Sequence, residues 1–356
     1  MTSPFSRYDD LEIVSGGSPD PGAFPLVGIL RNEMYFLPAF LEHYRARGIG
    51  QFILLNDRSD DGTTEFLAAQ PDVVQLRSGY RYGDVVEAPS GVPASVIGHG
   101  GAEAKVRILY VWRSLLMERF AADRWALQVD MDEFVHLPPG LSFPKFVDRP
   151  SVSENRLVLA AMLDVYPSDI ATLRAQRDEE FLDPGGAWFF DGEPHLDMGA
   201  EGYPAIAHPG ARARLYLRHG VYRRLPELAP KKLRGTFSYH KSTRLGLRVP
   251  KYNSLEKPVL VRWPKGAAYF NSHKTSLDPA RHVLLPMVHY RFTGRLYAKI
   301  RMALDEKSYS SGSRDHRFLE ALIDDMERAD VGFLYRRSRR LGSFTDFVET
   351  GNALGV

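Results

Sequence analysis

Asp130 and Asp132 are the residues whose type and spacing most directly suggest chemistry. They stand one residue apart after the apolar run Trp125-Ala126-Leu127-Gln128-Val129 and are followed by Glu133-Phe134. That run reads as a buried strand, and alternation along it sends both carboxylates to one side and Met131 to the other. Two aligned carboxylates make a hard oxygen site suited to Mg²⁺ or Mn²⁺, an ion usually shared between one or two carboxylates and the phosphates of a substrate. A solvated turn has the same composition, so the metal reading depends on whether the chain upstream builds a surface for a nucleotide.

A parallel sheet builds such a surface outside the carboxyl ends of its strands. Leu26-Val27-Gly28-Ile29-Leu30 reads as a strand that opens into Arg31-Asn32-Glu33. Tyr35, Leu37, Phe40, Leu41 and Tyr44 then recur at helical spacing, and Gly48 ends the pattern. Phe52-Ile53-Leu54-Leu55 is a second strand, opening into Asn56-Asp57-Arg58-Ser59-Asp60-Asp61-Gly62-Thr63. This β-α-β succession predicts a parallel sheet with loops 31–33 and 56–63 on one edge. The second loop begins like a calcium-binding EF-hand but has Ala68 where the bidentate Glu belongs, so that reading fails. Ser59 or Asp60 could cap the following helix, which leaves Asp57, directly after the strand, able to accept hydrogen bonds from a base or a ribose.

Val73-Val74-Gln75-Leu76 is a third strand, and the Gly/Pro-rich stretch from Arg77 to Gly101, with Tyr80 and Tyr82, reads as a mobile loop. Residues 102–121 read as a helix with Val106, Leu109, Trp112, Leu116 and Phe120 on its apolar face. Glu103, Lys105, Arg107 and Arg113 form the polar complement. Lys105 and Arg107 fall in the first turns, where they could meet phosphate or simply be solvated. Residues 1–24, with Gly16-Gly17, Pro19, Pro21 and Gly22, read as a loosely held leader.

Composition narrows the field. The 356 residues contain 46 Lys+Arg against 44 Asp+Glu, a net charge of +2, which is too close to neutral for a general nucleic-acid or anionic-membrane binder. With no cysteine, thiolate catalysis and disulfides are excluded, and a reducing compartment fits. The N-terminus lacks the basic and apolar regions of a secretory signal, and no apolar run is long enough to span a membrane. The expected location is cytoplasmic.

The succession Leu26 to Glu33, Leu54 to Thr63 and Gln128 to Phe134 resembles family 2-type glycosyltransferases, within them the subgroup with Arg-Asn-Glu after the first strand and an Asp-x-Asp-Glu-Phe metal motif. The match is clearest over residues 25–140 and fainter to about 305. The resemblance implies a GT-A fold: α/β, with a Rossmann-like, mostly parallel sheet flanked by helices and a C-terminal helical extension. It implies a UDP- or GDP-sugar donor bound by Arg31, Asn32, Glu33, Asp57, Asp130 and Arg291, which Lys105 and Arg107 would join if the start of their helix faces the sheet's carboxyl edge. A metal, Mn²⁺ or Mg²⁺, would be held by Asp130 and Asp132, with His289, or failing that His273, completing its shell. Members of the family invert the anomeric centre by direct displacement, with a carboxylate as general base on the acceptor hydroxyl.

The second half is less explicit. Leu157 to Leu163 reads as a strand. Pro184 to His195 mixes aromatics with carboxylates, the materials of a sugar site, and Asp191 and Glu193 are the candidate bases. Residues 211–262 are locally basic, which suits either an acidic acceptor or a solvated surface. Arg295 and Lys299 could join Arg291 at the diphosphate. From Gly294 onward the pattern is helical, and Tyr335-Arg336-Arg337-Ser338-Arg339-Arg340 could touch the inner face of a membrane if the glycan acceptor is lipid-linked. The expected layout is a leader over 1–24, a donor-binding half over 25–140, an acceptor half over 141–293 and a helical extension over 294–356. Rival readings are a sugar-phosphate nucleotidyltransferase, which would need a Gly-rich basic loop where Arg31-Asn32-Glu33 stands, and a non-catalytic carbohydrate-binding or scaffold protein.

Overall fold

The computed structural model describes residues 4–88, 105–224, 255–306 and 310–356. The loop from 89 to 101, the expected helix start with Glu103, and the basic residues Lys231, Lys232, Arg234, Lys241, Arg244, Arg248 and Lys251 lie outside the described residues. The chain forms two compact units, one of Met1–Ala160, Lys257–Leu285 and Gly355–Val356, the other of Ala161–Glu256 and Pro286–Leu354.

In chain order the strands are β1 (Glu12–Ser15), β2 (Pro25–Leu30), β3 (Gln51–Asn56), β4 (Val73–Arg77), β5 (Val85–Glu87), β6 (Lys105–Arg107), β7 (Trp125–Gln128), β8 (Glu133–Val135) and β9 (Leu157–Asp164). They continue with β10 (Phe189–Asp191), β11 (Leu196–Met198), β12 (Pro204–Ala207), β13 (Glu256–Arg262), β14 (Tyr269–Asn271), β15 (Lys274–Thr275), β16 (Leu284–His289) and β17 (Ser338–Arg340).

Nine of the strands share a sheet ordered β1-β4-β3-β2-β7-β13-β9-β16-β8, of which β1, β4, β3, β2 and β7 lie wholly in the first unit. Its centre is parallel, β2 pairing with both β3 and β7, and β3 with β4. Every residue of β2 and β3 is buried, as expected of parallel strands covered by helices. The edge strand β1 and the interior strand β13 run antiparallel to β4 and β7. On the flanks, helix Leu37–Arg45 buries Leu37, Phe40, Leu41 and Tyr44, and the Phe40 ring meets Phe134 edge-on at 6.0 Å. Full burial of such side chains contributes roughly 1.5–3 kcal/mol each. The fold is thus α/β, with a mixed central sheet flanked by helices.

Four local expectations are corrected. Within the expected leader, residues 12–15 form β1, paired to β4, and Phe5 and Leu11 are buried. Lys105 and Arg107 lie on β6, not in a helix, because residues 105–107 pair antiparallel with β5 and Ile108 N–H donates to Asp84 O at 2.9 Å. The helix starts at Ile108, and Arg113, expected on its polar side, is buried. Strand β7 stops at Gln128, and Asp130 to Glu133 form a turn closed by Glu133 N–H on Asp130 O at 3.1 Å.

In the second unit, Ile170, Leu173, Leu215, Leu296, Phe318 and Leu322 belong to one apolar cluster, contributed by helices Ile170–Ala175, Ala211–Arg218, Leu296–Glu306 and Ser310–Ala329. The arginine tract is not a helix: Ser338–Arg340 form β17 against β10, and Arg339 pairs with Asp346 at 3.0 Å and with Glu349.

Candidate functional site

In the order β4-β3-β2-β7 the chain moves outward from β2 through β3 and β4, then returns to the other side of β2 as β7. The point of return lies between β2 and β7, and crevices outside the carboxyl ends of strands at such points take ligands in open α/β sheets. Two of the three motifs read from the sequence flank it. Leu30 is opposite Asn56 in the β2–β3 register, so the loops after the two strands share an edge as expected. They are also bonded. Asn32, held at φ 55, receives Asp60 N–H on Oδ1 at 2.9 Å and donates Nδ2 to Asp60 Oδ1 at 2.8 Å. Its own N–H reaches Ser59 Oγ at 2.8 Å, and Met34 N–H reaches Asp61 Oδ2 at 3.1 Å. Asn is among the few residues that tolerate a left-handed backbone.

Past β7, Asp130 is clamped. Arg113 Nη2 donates to Oδ1 at 2.6 Å and Lys257 Nζ to Oδ2 at 2.7 Å. Lys257 is also bonded to both oxygens of Glu133, whose Oε2 accepts the Asp130 N–H at 2.8 Å. Burial and the neighbouring Asp132 push the Asp130 carboxyl up, but Arg113 and Lys257 outweigh them and hold it at about 2. Tyr44 fixes the turn from below, its hydroxyl donating to Glu133 O at 2.7 Å and accepting from Val135 N–H at 3.0 Å. Met131 turns into the core and Asp132 is mostly buried.

Asp57 faces inward. Its Oδ2 accepts Tyr82 N–H at 2.9 Å, and Arg81 Nε is 3.2 Å from its Oδ1. Arg107 lies over the Tyr82 ring at 5.3 Å and donates to Tyr82 O at 3.4 Å. Lys105 is exposed on β6, and His273 is in the β14–β15 turn, its N–H on Asn271 Oδ1 at 2.7 Å.

In the second unit, His289 Nδ1 lies 2.6 Å from Asp164 Oδ1, and both are buried. Despite its burial, Asp164 is held well below the usual carboxylate range by Arg212 and His289. An ionised carboxylate only accepts, so Nδ1 is the donor and the tautomer is fixed, the arrangement common in metal-binding histidines. Arg212 donates to Asp164 at 2.7 Å and to Asp315 at 3.2 Å, and Arg291 donates to Asp315 at 3.1 Å.

The candidate bases are committed elsewhere. Asp191, 1% exposed, takes two bonds from Arg214, at 2.9 and 2.8 Å, and one from Tyr166 at 2.7 Å. Glu193 accepts from Tyr335 and Arg337 at 2.8 and 2.5 Å, and these bonds lower its pKa against the effect of burial. A general base working near neutral pH needs the opposite shift. The aromatic rings beside them, Trp188 and Phe190, are buried and do not present faces to solvent.

The residues the sequence reading missed are Lys257, Arg113, Glu133, Arg81 and Tyr82 as partners of the two aspartates. A signal existed for the first two, each being a lone cation beside an apolar stretch: Lys257 before Pro258-Val259-Leu260-Val261, and Arg113 inside Val111 to Met117.

Among the described residues no group of three or more His, Cys, Asp or Glu side chains is placed to hold a metal ion, and no helix is long and apolar enough to cross a membrane. The class that emerges is an α/β protein with polar and acidic residues gathered at the carboxyl edge of a sheet of Rossmann-like order. No protein-family model and no curated protein sequence matches the chain.

Proposed function

We propose that the chain is a GT-A glycosyltransferase that moves a sugar from a nucleoside diphosphate, UDP or GDP, to a glycan or lipid-linked acceptor. The observation that carries this reading is the clamped turn: Asp130 and Asp132 follow β7 at the point where the strand order reverses, beside the loop Arg31-Asn32-Glu33 that follows β2. Asp130 keeps its charge at any working pH and accepts hydrogen bonds from the ribose hydroxyls. Both of its oxygens already face cations, so it is a poor ligand for a second positive centre, and in this reading the second carboxylate of the Asp-x-Asp motif, Asp132, holds Mn²⁺ or Mg²⁺.

Such an ion would take its remaining ligands from the diphosphate and water, and when bound it would neutralise charge developing on the leaving group. The turn and the Asn32–Asp60 pairing fix the donor's position in advance, which lowers the entropic cost of reaching the reactive geometry.

The test is a thermal-shift screen of the full chain against UDP, GDP, CMP and ADP, each with and without Mn²⁺, repeated on Asp132→Ala. A ligand that binds only the native state raises the melting temperature. The expected result is metal-dependent stabilisation by one nucleoside diphosphate that Asp132→Ala abolishes. No shift with any nucleotide would overturn the reading, and a shift that persists unchanged in Asp132→Ala would overturn the metal assignment.

A further inference from the structure

We propose that the turn Tyr335–Ser338, with Leu334 before it and Arg218 beside it, is a docking surface for an anionic lipid bilayer. The inference stands apart from the glycosyltransferase reading, and its test uses no nucleotide.

The turn is closed twice. Ser338 N–H donates to Tyr335 O at 2.9 Å and Tyr335 N–H to Ser338 Oγ at 2.9 Å, which leaves Arg336 and Arg337 at the two central positions, both exposed. On either side the chain is pinned to the second unit. Phe333 is buried against Tyr166, ring on ring at 5.9 Å, and its N–H donates to Ser168 O at 3.0 Å. Beyond the turn, β17 pairs with β10. Tyr335 itself is fixed by the Arg214 guanidinium, 4.1 Å from its ring centre, and by its hydroxyl bond to Glu193 at 2.8 Å. A loop held in this way loses little conformational freedom when it binds.

The positive charge around the turn has no local counterweight. The neighbouring carboxylates are engaged, Glu193 by Tyr335 and Arg337, and Asp346 and Glu349 by Arg339. Arg218, Arg336 and Arg340 are exposed and make no ion pair among the described residues. Arg218 ends the helix Ala211–Arg218, and its Nη1 donates to Leu334 O at 3.4 Å, so a third cation stands directly beside the turn. The whole chain carries a net charge of only +2. Attraction to an anionic surface is therefore confined to this patch and acts within a Debye length of about 10 Å.

Leu334 selects the partner. It is 39% exposed and lies between Arg218 and the two arginines of the turn. Arginines alone would satisfy an acidic protein or polymer. A bilayer also takes an apolar side chain into its headgroup boundary, while the guanidinium groups around it bind lipid phosphates.

The experiment is sedimentation of the full chain with phosphatidylcholine vesicles, with and without phosphatidylglycerol, at low and high salt. Wild type should pellet only with the anionic vesicles and be released by salt. One basic residue at such a surface is worth roughly fivefold in partitioning. Arg336→Ala should lose about that much, and Arg218→Glu combined with Arg336→Glu and Arg340→Glu should abolish pelleting at an unchanged melting temperature. If the triple variant is unfolded, Arg336→Ala, whose side chain has no described ion-pair partner, decides the matter.

Because the chain has no cysteine, Leu334→Cys can carry a single polarity-sensitive fluorophore, whose emission should shift to the blue on anionic vesicles. No pelleting of wild type, or pelleting unchanged in the charge variants, would overturn the surface. Binding to heparin without binding to vesicles would make the arginines a site for acidic polymers and overturn the lipid assignment. Vesicle binding with no emission shift would overturn the role given to Leu334.

Discussion

Lys257 Nζ lies 2.7 Å from Asp130 Oδ2 and is bonded in the same buried site to Glu133, so one ammonium on β13 bridges two carboxylates on the turn after β7. Arg113 completes the balance from the helix Ile108–Phe120 by bonding Asp130 Oδ1 and Gln128 Oε1, at 2.6 and 2.8 Å. The turn is therefore an electrostatic unit assembled from three stretches of chain far apart in sequence.

Lys257→Met should destabilise the protein by about 3–5 kcal/mol, because breaking a buried ion pair leaves an uncompensated charge behind. The pH dependence follows from the sign of the Asp130 shift. Its folded carboxyl sits at about 2, against roughly 4 in an unfolded chain. Its contribution to stability is complete above about pH 4 and is lost as the pH falls toward 2. With Lys257 gone the folded value rises toward the unfolded one, so the stability difference between wild type and variant should narrow on going from pH 5 toward about pH 2. Urea unfolding across that range measures both effects, and a pH-independent difference would remove Asp130 from the account.

Gly28 in β2 is where the core meets the turn. A Cβ there would come within 2.7 Å of Met131 Cε, 3.1 Å of Leu54 Cδ2 and 3.4 Å of Val129 O. Gly28→Ala should cost about 1–3 kcal/mol through overpacking and weaken nucleotide binding, because the displaced Met131 lies between Asp130 and Asp132. Shortening the side chain should relieve the clash, so Gly28→Ala with Met131→Ala should cost less than the sum of the single changes. Strict additivity in a double-mutant cycle would show that the two residues do not touch.

How much of this was legible follows from range of interaction. β2, β3, β4, β7 and β9 were readable because each is a continuous apolar run, and the shared edge of loops 31–33 and 56–63 followed from parallel pairing alone. The strand character of Lys105–Arg107 was not, because it depends on pairing with Val85–Glu87 across a stretch of chain that has no pattern of its own. Asp57 was correctly marked as a residue directly after a strand, but its inward direction is set by Arg81 and Tyr82, 24 and 25 positions on. The clamp on Asp130 was hidden for the same reason. A lone cation in an apolar stretch tells the reader that a partner exists, and only the fold tells which.

His289 and His273 were read together from sequence, and their surroundings now separate them. His289 is buried with Nδ1 on the Asp164 carboxylate at 2.6 Å, while His273 occupies a two-strand turn and is only part-buried. Removing the imidazole in His289→Ala takes a hydrogen bond from a buried, ionised aspartate, a loss worth about 1–3 kcal/mol. His273→Ala should stay within about 0.5 kcal/mol of wild type, as surface substitutions usually do. Asp164→Asn should fall nearer to His289→Ala, since it disturbs the same bond and the Arg212 pair at 2.7 Å as well. Urea midpoints for the three variants give the ranking, and the same proteins titrated with nucleotide and Mn²⁺ report whether either imidazole contributes to the metal-dependent shift. A His273→Ala variant less stable than His289→Ala would reverse the structural assignment of the two histidines.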